Sequence, residues 1–336
     1  MKRIISLDIY KSLAAVMVIL IHVTATPIVT LTEGPIAGVL IAVNRFANPS
    51  VPMFVFASGL SLFYIYGGRG VAFREFIGKR LPKILIPYLG WCVVYYAYYV
   101  YAGIYALSAT VFIQNVLTGR MIYHLYFVVI IIQFYLVFGI IHYAVNKFSG
   151  KIILPLGLLI NILAASLLPA SYSDRSVLTY LIYFLLGCYV AKHLKTATEG
   201  FRRYGILISL SFFILGGIYA YQFYEAQFLN ISSRFIPAVY AYIGFCAVAI
   251  LFYYLVSDVL ERTTREGSTL RKGLLALSDG SYYIYLSHPL AIIAAGSLSA
   301  KLGMTGVLDQ MGIAFILVWL TAVPLSILYA RWRVKR

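Results

Sequence analysis

Three ionisable residues, Asp8, Lys11 and His22, interrupt the first apolar stretch, LDIYKSLAAVMVILIHV. Read as a helix, Lys11 and His22 are separated by about 16 Å of rise and lie within about 20° of one face. Asp8 falls one turn below Lys11 on roughly the same side. The three form a polar stripe that runs from one membrane edge to a histidine near the midplane. An ionisable group at that depth is costly and faces a cavity or the bundle interior. An imidazole titrates at about pH 6.5, so it can accept and return a proton near neutrality. His22 can therefore deprotonate an acceptor hydroxyl whose oxygen then attacks an activated carbonyl, or it can relay protons in a transporter. The stripe alone does not choose. Each residue also has a bland reading: a histidine bonded across to another helix, a snorkelling lysine, and an aspartate in a helix first turn.

The elements that must hold this stripe are membrane helices. Of the 336 residues, 62% are hydrophobic and 11% charged, against about 45–50% and about 25% in soluble domains. Runs of the length needed to span, about 20 residues, predict an all-α polytopic protein with ten helices. They fall at 10–31, 49–67, 84–105, 124–145, 152–169, 177–193, 204–223, 235–256, 275–296 and 311–331. The Pro and Gly residues within 49–67 and 275–296 are tolerable where neighbouring helices satisfy the freed backbone groups. With alternating loops and a cytoplasmic N-terminus, the outer segments hold only Arg45, Arg120, Arg175, Arg234 and Lys301 of the 27 Lys and Arg residues. This obeys the positive-inside rule and puts both termini in the cytoplasm. The chain is expected to be one transmembrane domain, 1–336, with no appended soluble domain.

The net charge of +16 follows from that topology and from attraction to anionic headgroups. It does not indicate nucleic-acid binding, since no soluble basic domain is present. The N-terminal run reads as a retained signal-anchor. Cys92, Cys188 and Cys246 fall inside spans without metal-ligand spacing and read as small apolar packers. Asn230-Ile231-Ser232 is a formal glycosylation sequon in an outer loop, a weak pattern. The abundant tyrosines, as in YYAYYVYAGIY at 95–105, read mainly as an interfacial aromatic belt.

Further motifs, taken in order, narrow the chemistry. SLDIYKSLAAVMVILIH resembles the opening of the acyltransferase type 3 family of membrane proteins, whose first helix carries a basic residue, ten intervening residues and a histidine. Lys11 and His22 match that spacing. FVFASGLSLFY is similar to the family's second helix at Ser58-Gly59. FIGKRLPKILIPYL resembles its basic segment at Arg80, Lys83, Pro87 and Tyr88. HLYFVVIIIQFYL resembles the segment at His124 to Phe127, and LSDGSYYIYLSHPL the late segment with Ser281, Tyr282, Tyr285 and His288. Lys11 stands where Arg is commoner and Tyr126 where Trp is common. Lysine is a point charge and does not reproduce a bidentate guanidinium contact.

The resemblance implies transfer of an acyl group, acetyl or succinyl, from cytoplasmic acyl-CoA to a hydroxyl of an extracytoplasmic or lipid-linked glycan at the cell membrane. On that reading acyl-CoA is the donor co-substrate, no metal takes part, and the partners are the donor, the glycan acceptor and membrane lipids. The coenzyme A phosphates rest on Arg80, Lys83 and Lys11. His22 is the general base. Asp8 joins it in the catalytic group by orienting Lys11 or Arg80, and His288 holds the acceptor or the oxyanion. Ser58, His124, Tyr126 and Tyr285 fall to substrate binding. The alternative is a transporter or flippase that uses His22 for proton coupling, against which stands the lack of a visible inverted repeat. A sensing or scaffold role is a third reading, disfavoured by the midplane histidine and the Arg80/Lys83 cluster.

Overall fold

In the computed structural model the residues described are 3–231 and 237–334, and among them the secondary structure is entirely helical. Lys2, Arg234, Lys335 and Arg336 of the charge pattern, and Ser232 of the sequon, lie outside the described residues. The helices are α1 (Ile5–Val23), α2 (Pro27–Thr30), α3 (Pro35–Ala47), α4 (Ser50–Tyr66), α5 (Phe73–Tyr101), α6 (Ala109–Thr118), α7 (Tyr126–Lys147) and α8 (Gly150–Leu167). They continue with α9 (Ala170–Ser173), α10 (Leu181–Lys192), α11 (Leu194–Arg203), α12 (Gly205–Tyr224), α13 (Ala238–Thr263), α14 (Thr269–Lys301), α15 (Val307–Leu317) and α16 (Val323–Val334). A 3₁₀ turn, Val177–Tyr180, leads into α10, and a π turn, Val318–Ala322, joins α15 to α16.

Among the described residues nine helical stretches are long and apolar enough to cross a membrane, and Val177–Lys192, which bends by 106° into α11, is a tenth candidate. They correspond one to one with the ten spans expected from the sequence, with shifted ends. α10 packs antiparallel to α8, since a Cβ on Gly157 would meet Leu185 while one on Gly150 would meet the ring of Tyr189. Its end reaches the end of α7, where Lys192 Nζ donates to Val145 O at 2.7 Å.

Sequence chemistry explains where several helices begin and stop. Pro27 and Pro35 occupy first turns, where the missing N–H is not needed. Ser108 and Ser268 cap α6 and α14 by accepting from Val111 N and Arg271 N. Gly119 closes α6 at φ 66°, a left-handed conformation open to glycine.

Three differences from the sequence reading matter. α1 begins and ends several residues before the expected 10–31, so His22 lies in its last turn and not near the middle of the helix. The stop is physical: Pro27 cannot donate back to Val23, and Asn44 Nδ2 takes the carbonyl of Ile21 at 2.9 Å. Residues 35–47 and 109–118, read as loop, form α3 and α6. α5 starts at Phe73, so Arg80 and Lys83 stand on a helix already under way.

The described residues pack as two compact units, Met1–Phe54 with Lys195–Arg336, and Val55–Leu194. In the first, α1 lies against α3, α13 and α14, and α14 lies against α15 and α16. α1 and α14 run parallel: Asp8 and Ser12 bond to Ser278 and Leu274, and two turns and more further along both helices His22 meets His288. In the second unit, α4 and α10 cross with no side chain between their backbones. A Cβ on Gly59 would lie 2.3 Å from Phe184 O, and one on Gly187 would lie 2.2 Å from Phe56 O. Small residues at such crossings let membrane helices gain dispersion contacts where lipid removes any hydrophobic drive to associate. Beside the crossing the rings of Phe134 and Phe184 stack at 4.2 Å.

Candidate active site

The first unit gathers Asp8, Lys11, His22, Tyr285 and His288, but in two places. At the start of α1 the buried carboxylate of Asp8 accepts from Arg3 Nε, from Ser278 Oγ at 3.2 Å and from Lys11 Nζ at 3.4 Å. Arg3 also donates to Asp279 Oδ1 at 2.8 Å. Ser12 Oγ donates to the carbonyl of Leu274 on α14 and lies 3.0 Å from Asp8 O. Two carboxylates and two cations thus interlock the beginnings of α1 and α14, with Lys11 half-buried at the edge.

The second place lies fourteen residues along α1, about 21 Å of rise from Asp8. There the imidazole of His22 stacks on that of His288, with centroids 5.1 Å apart and planes 27° from parallel. His288 is fully buried on α14, and His22 is half-buried. His288 Nδ1 lies 3.0 Å from the carbonyl oxygen of Ile284. A carbonyl can only accept, so Nδ1 carries the hydrogen, and in the neutral ring Nε2 carries the lone pair. Pro289 follows directly inside the helix. The ring of Tyr285, one turn before, is 6.5 Å from that of His288. Apolar residues enclose the pair's surroundings: Ile19, Val23, Ile284 and Ala291 share one buried cluster with Val318 and Ala322.

The remaining expected site residues lie in the second unit. Ser58 is half-buried beside Gly59 in α4. Arg80 sits in α5 with its guanidinium 5.7 Å over the ring of Tyr66. Lys83 is exposed one turn later. His124 is buried just before α7, with the rings of Tyr95 and Tyr123 at 5.9 and 5.5 Å. Tyr126 is half-buried at the first residue of α7. Among the described residues no group of three or more His, Cys, Asp and Glu has the spacing to hold a metal ion.

Residues outside the sequence reading complete the first unit. Arg3, Ser278 and Asp279 form the α1–α14 interlock, and Asn44 on α3 binds the end of α1 through Ile21 O and, at 2.8 Å, Thr24 Oγ1. The signal for Asn44 and Arg45 was present: Arg45 is the sole basic residue of the segment between the first two expected spans.

The profile of the acyltransferase domain of type 3 matches residues 4–330, essentially the whole chain. No curated protein and no solved structure matches it.

Proposed function

Since the chain belongs to the acyltransferase type 3 family and is a membrane-embedded acyltransferase, we propose that it moves an acetyl or succinyl group from cytoplasmic acyl-CoA to a hydroxyl of an extracytoplasmic or lipid-linked glycan in the cell membrane. The observation that carries this reading is the stacked pair His22–His288, two imidazoles from helices far apart in sequence, set in an apolar surround.

The reaction uses them as follows. His22 takes the proton from the acceptor hydroxyl as the oxygen attacks the thioester carbonyl. The C–O bond forms, the C–S bond breaks, and coenzyme A leaves as a thiolate that receives the proton. His288, with Nδ1–H committed to Ile284 O, offers Nε2 as an acceptor in its neutral form. That polarity suits holding the acceptor's hydroxyl and does not suit donation to an oxyanion, so of the two roles expected from the sequence the first is retained. Tyr285 flanks the acceptor beside His288.

Asp8 acts as a positioning residue for Lys11, which meets the phosphates of the donor, and the rise of about 16 Å along α1 between Lys11 and His22 is compatible with an extended pantetheine arm. Arg80 and Lys83 are assigned to the donor, and Ser58, His124 and Tyr126 to the substrate, on the sequence resemblance. Both termini are assigned to the cytoplasm.

The test is free-thiol release from acetyl-CoA and succinyl-CoA by purified protein in lipid nanodiscs with a glycan acceptor, alongside His22→Ala. Release that disappears in the variant supports the reading. Absence of both turnover and coenzyme A binding would sink it in favour of a transporter.

A further inference from the structure

At the start of α1 the described cations Arg3 and Lys11 each meet Asp8, and elsewhere Arg175, Arg202 and Arg262 each meet an aspartate. Arg45 differs. It stands in the last turn of α3, half-buried, and among the described residues no carboxylate pairs with it. One guanidinium nitrogen, Nη2, donates to Asn44 Oδ1 at 2.7 Å. The guanidinium carbon is 3.9 Å from the ring centre of Phe223 and 5.9 Å from that of Tyr219, both on α12. Its Nε is buried and has no hydrogen-bond partner among the described residues.

The helix C-terminus and the ring face both favour a cation, which accounts for the residue's position. Of its donors, Nη2 is used by Asn44 and another N–H by the Tyr219 hydroxyl, while Nε has no partner among the described residues. A guanidinium has five N–H bonds in a planar fork that fits carboxylate and phosphate oxygens in pairs, and a buried N–H left unmade is costly.

The surroundings are also ordered. Asn44 is 1% exposed, and its amide nitrogen is committed to Ile21 O and Thr24 Oγ1, which turns its oxygen toward Arg45. On the other side Asn48 donates to Tyr219 Oη at 3.3 Å. Asn44 therefore both orients Arg45 and grips Ile21, the residue that precedes His22.

We infer that Arg45, oriented by Asn44 and backed by Phe223, is an anion-binding subsite that holds a phosphate or carboxylate carried by the acyl acceptor. This rests on the acyltransferase reading and adds a substrate class to it: the acceptor is an acidic molecule, gripped by its charge at α3 while a hydroxyl is presented to His22. The same chemistry would be met by an anionic lipid headgroup, so the experiment separates the two sources.

Binding of a hexose 1-phosphate and of the matching uncharged methyl hexoside is measured directly on the purified full chain, without acyl donor, in nanodiscs of phosphatidylcholine. Wild type, Arg45→Gln, Arg45→Lys and Phe223→Leu are compared, with thermal melting to confirm folding. The expected result is a preference of about 10- to 100-fold for the phosphorylated sugar. Arg45→Gln abolishes it, Arg45→Lys retains part, and Phe223→Leu weakens it. Equal binding of the two sugars by wild type, or a preference untouched in Arg45→Gln, overturns the subsite.

A second set of nanodiscs contains phosphatidylglycerol. If wild type shows no sugar preference in phosphatidylcholine but melts at a higher temperature in phosphatidylglycerol, a shift lost in Arg45→Gln, the anion is a headgroup and the acceptor assignment is overturned. Because no donor is present, sugar phosphate binding in a protein that never releases coenzyme A would retain the subsite and refute acyl transfer. Turnover with no preference for an acidic acceptor would do the reverse.

Discussion

His22 and His288 stack ring on ring, 5.1 Å between centroids, although one lies near the start of the chain and the other close to its end. The contact needs α1 and α14 to run side by side in the same direction, and the interlock of Asp8, Arg3, Ser12, Ser278 and Asp279 fixes their register some three turns or more away. Position at one end and chemistry at the other are thus carried by the same pair of helices.

His22→Ala is expected to lower the turnover number for thiol release by about 10²- to 10⁴-fold, the range for loss of a general base. Coenzyme A binding, followed by equilibrium dialysis, stays close to wild type. His288→Phe keeps a ring for stacking and removes both nitrogens. It should fold, bind donor and lose acceptor-dependent release. A His288→Phe protein with wild-type release would remove His288 from the reaction.

Asp8→Asn removes the charge that three donors share. Arg3 keeps Asp279 and is half exposed, so the stability loss is modest, about 1–3 kcal/mol, read as a lower melting temperature. The kinetic effect should appear in the KM for acyl-CoA with kcat largely retained, because Asp8 acts through Lys11. A fall in kcat at unchanged KM would contradict the positioning role.

Gly59→Ala and Gly187→Ala each push a methyl group into the opposing backbone at the α4–α10 crossing. Overpacking of this kind costs about 1–3 kcal/mol and more when backbone must move. Gly90 on α5 has nothing within 4 Å of its would-be Cβ, so Gly90→Ala is expected to be neutral or stabilising by up to about 1 kcal/mol. Thermal unfolding in detergent of the three variants checks the contrast.

Parallel neighbours in a membrane must have an odd number of passes between them. α1 and α14 are parallel, which requires 177–192 to be a full pass in addition to the nine longer stretches. An even total places the two termini on one face. Reporter fusions at each end should therefore give the same sidedness, and the positive-inside rule predicts a cytoplasmic readout at both. Opposite sidedness would rule out the tenth pass.

Much of this architecture was legible in the sequence because apolar length is a strong signal. All ten expected stretches are helices, and the family was readable from short motifs such as the Lys11–His22 spacing. What hydropathy did not reveal was position within a helix. Pro27 lay within residues 10–31, but a proline is tolerated inside a membrane helix, and the stop at Val23 also depends on Asn44, a residue more than twenty positions away that donates to the carbonyl of Ile21. α3 was missed for a related reason: its apolar run is short and contains a charge, Arg45, whose accommodation depends on the ring of Phe223. The pairing of His22 with His288 was invisible for a simpler reason, since periodicity assigns a face to each helix without saying which faces meet.

The wide turn at Val318–Ala322 is in effect one residue too many for a regular helix, and it sets the phase of everything after it. Winding the same five residues as a regular α-helix would leave composition and hydropathy unchanged. It would also rotate α16 by about 100° relative to α15. Ile327 would leave the surface of Gly280, Ser326 would leave Ser287, and Arg333 would leave the hydroxyl of Tyr283. Each of those partners is on α14, and Ser287 is the residue before His288. A change silent to any hydropathy profile would therefore be felt at the imidazole, which makes helix phase, and not helix length, the quantity this part of the chain must preserve.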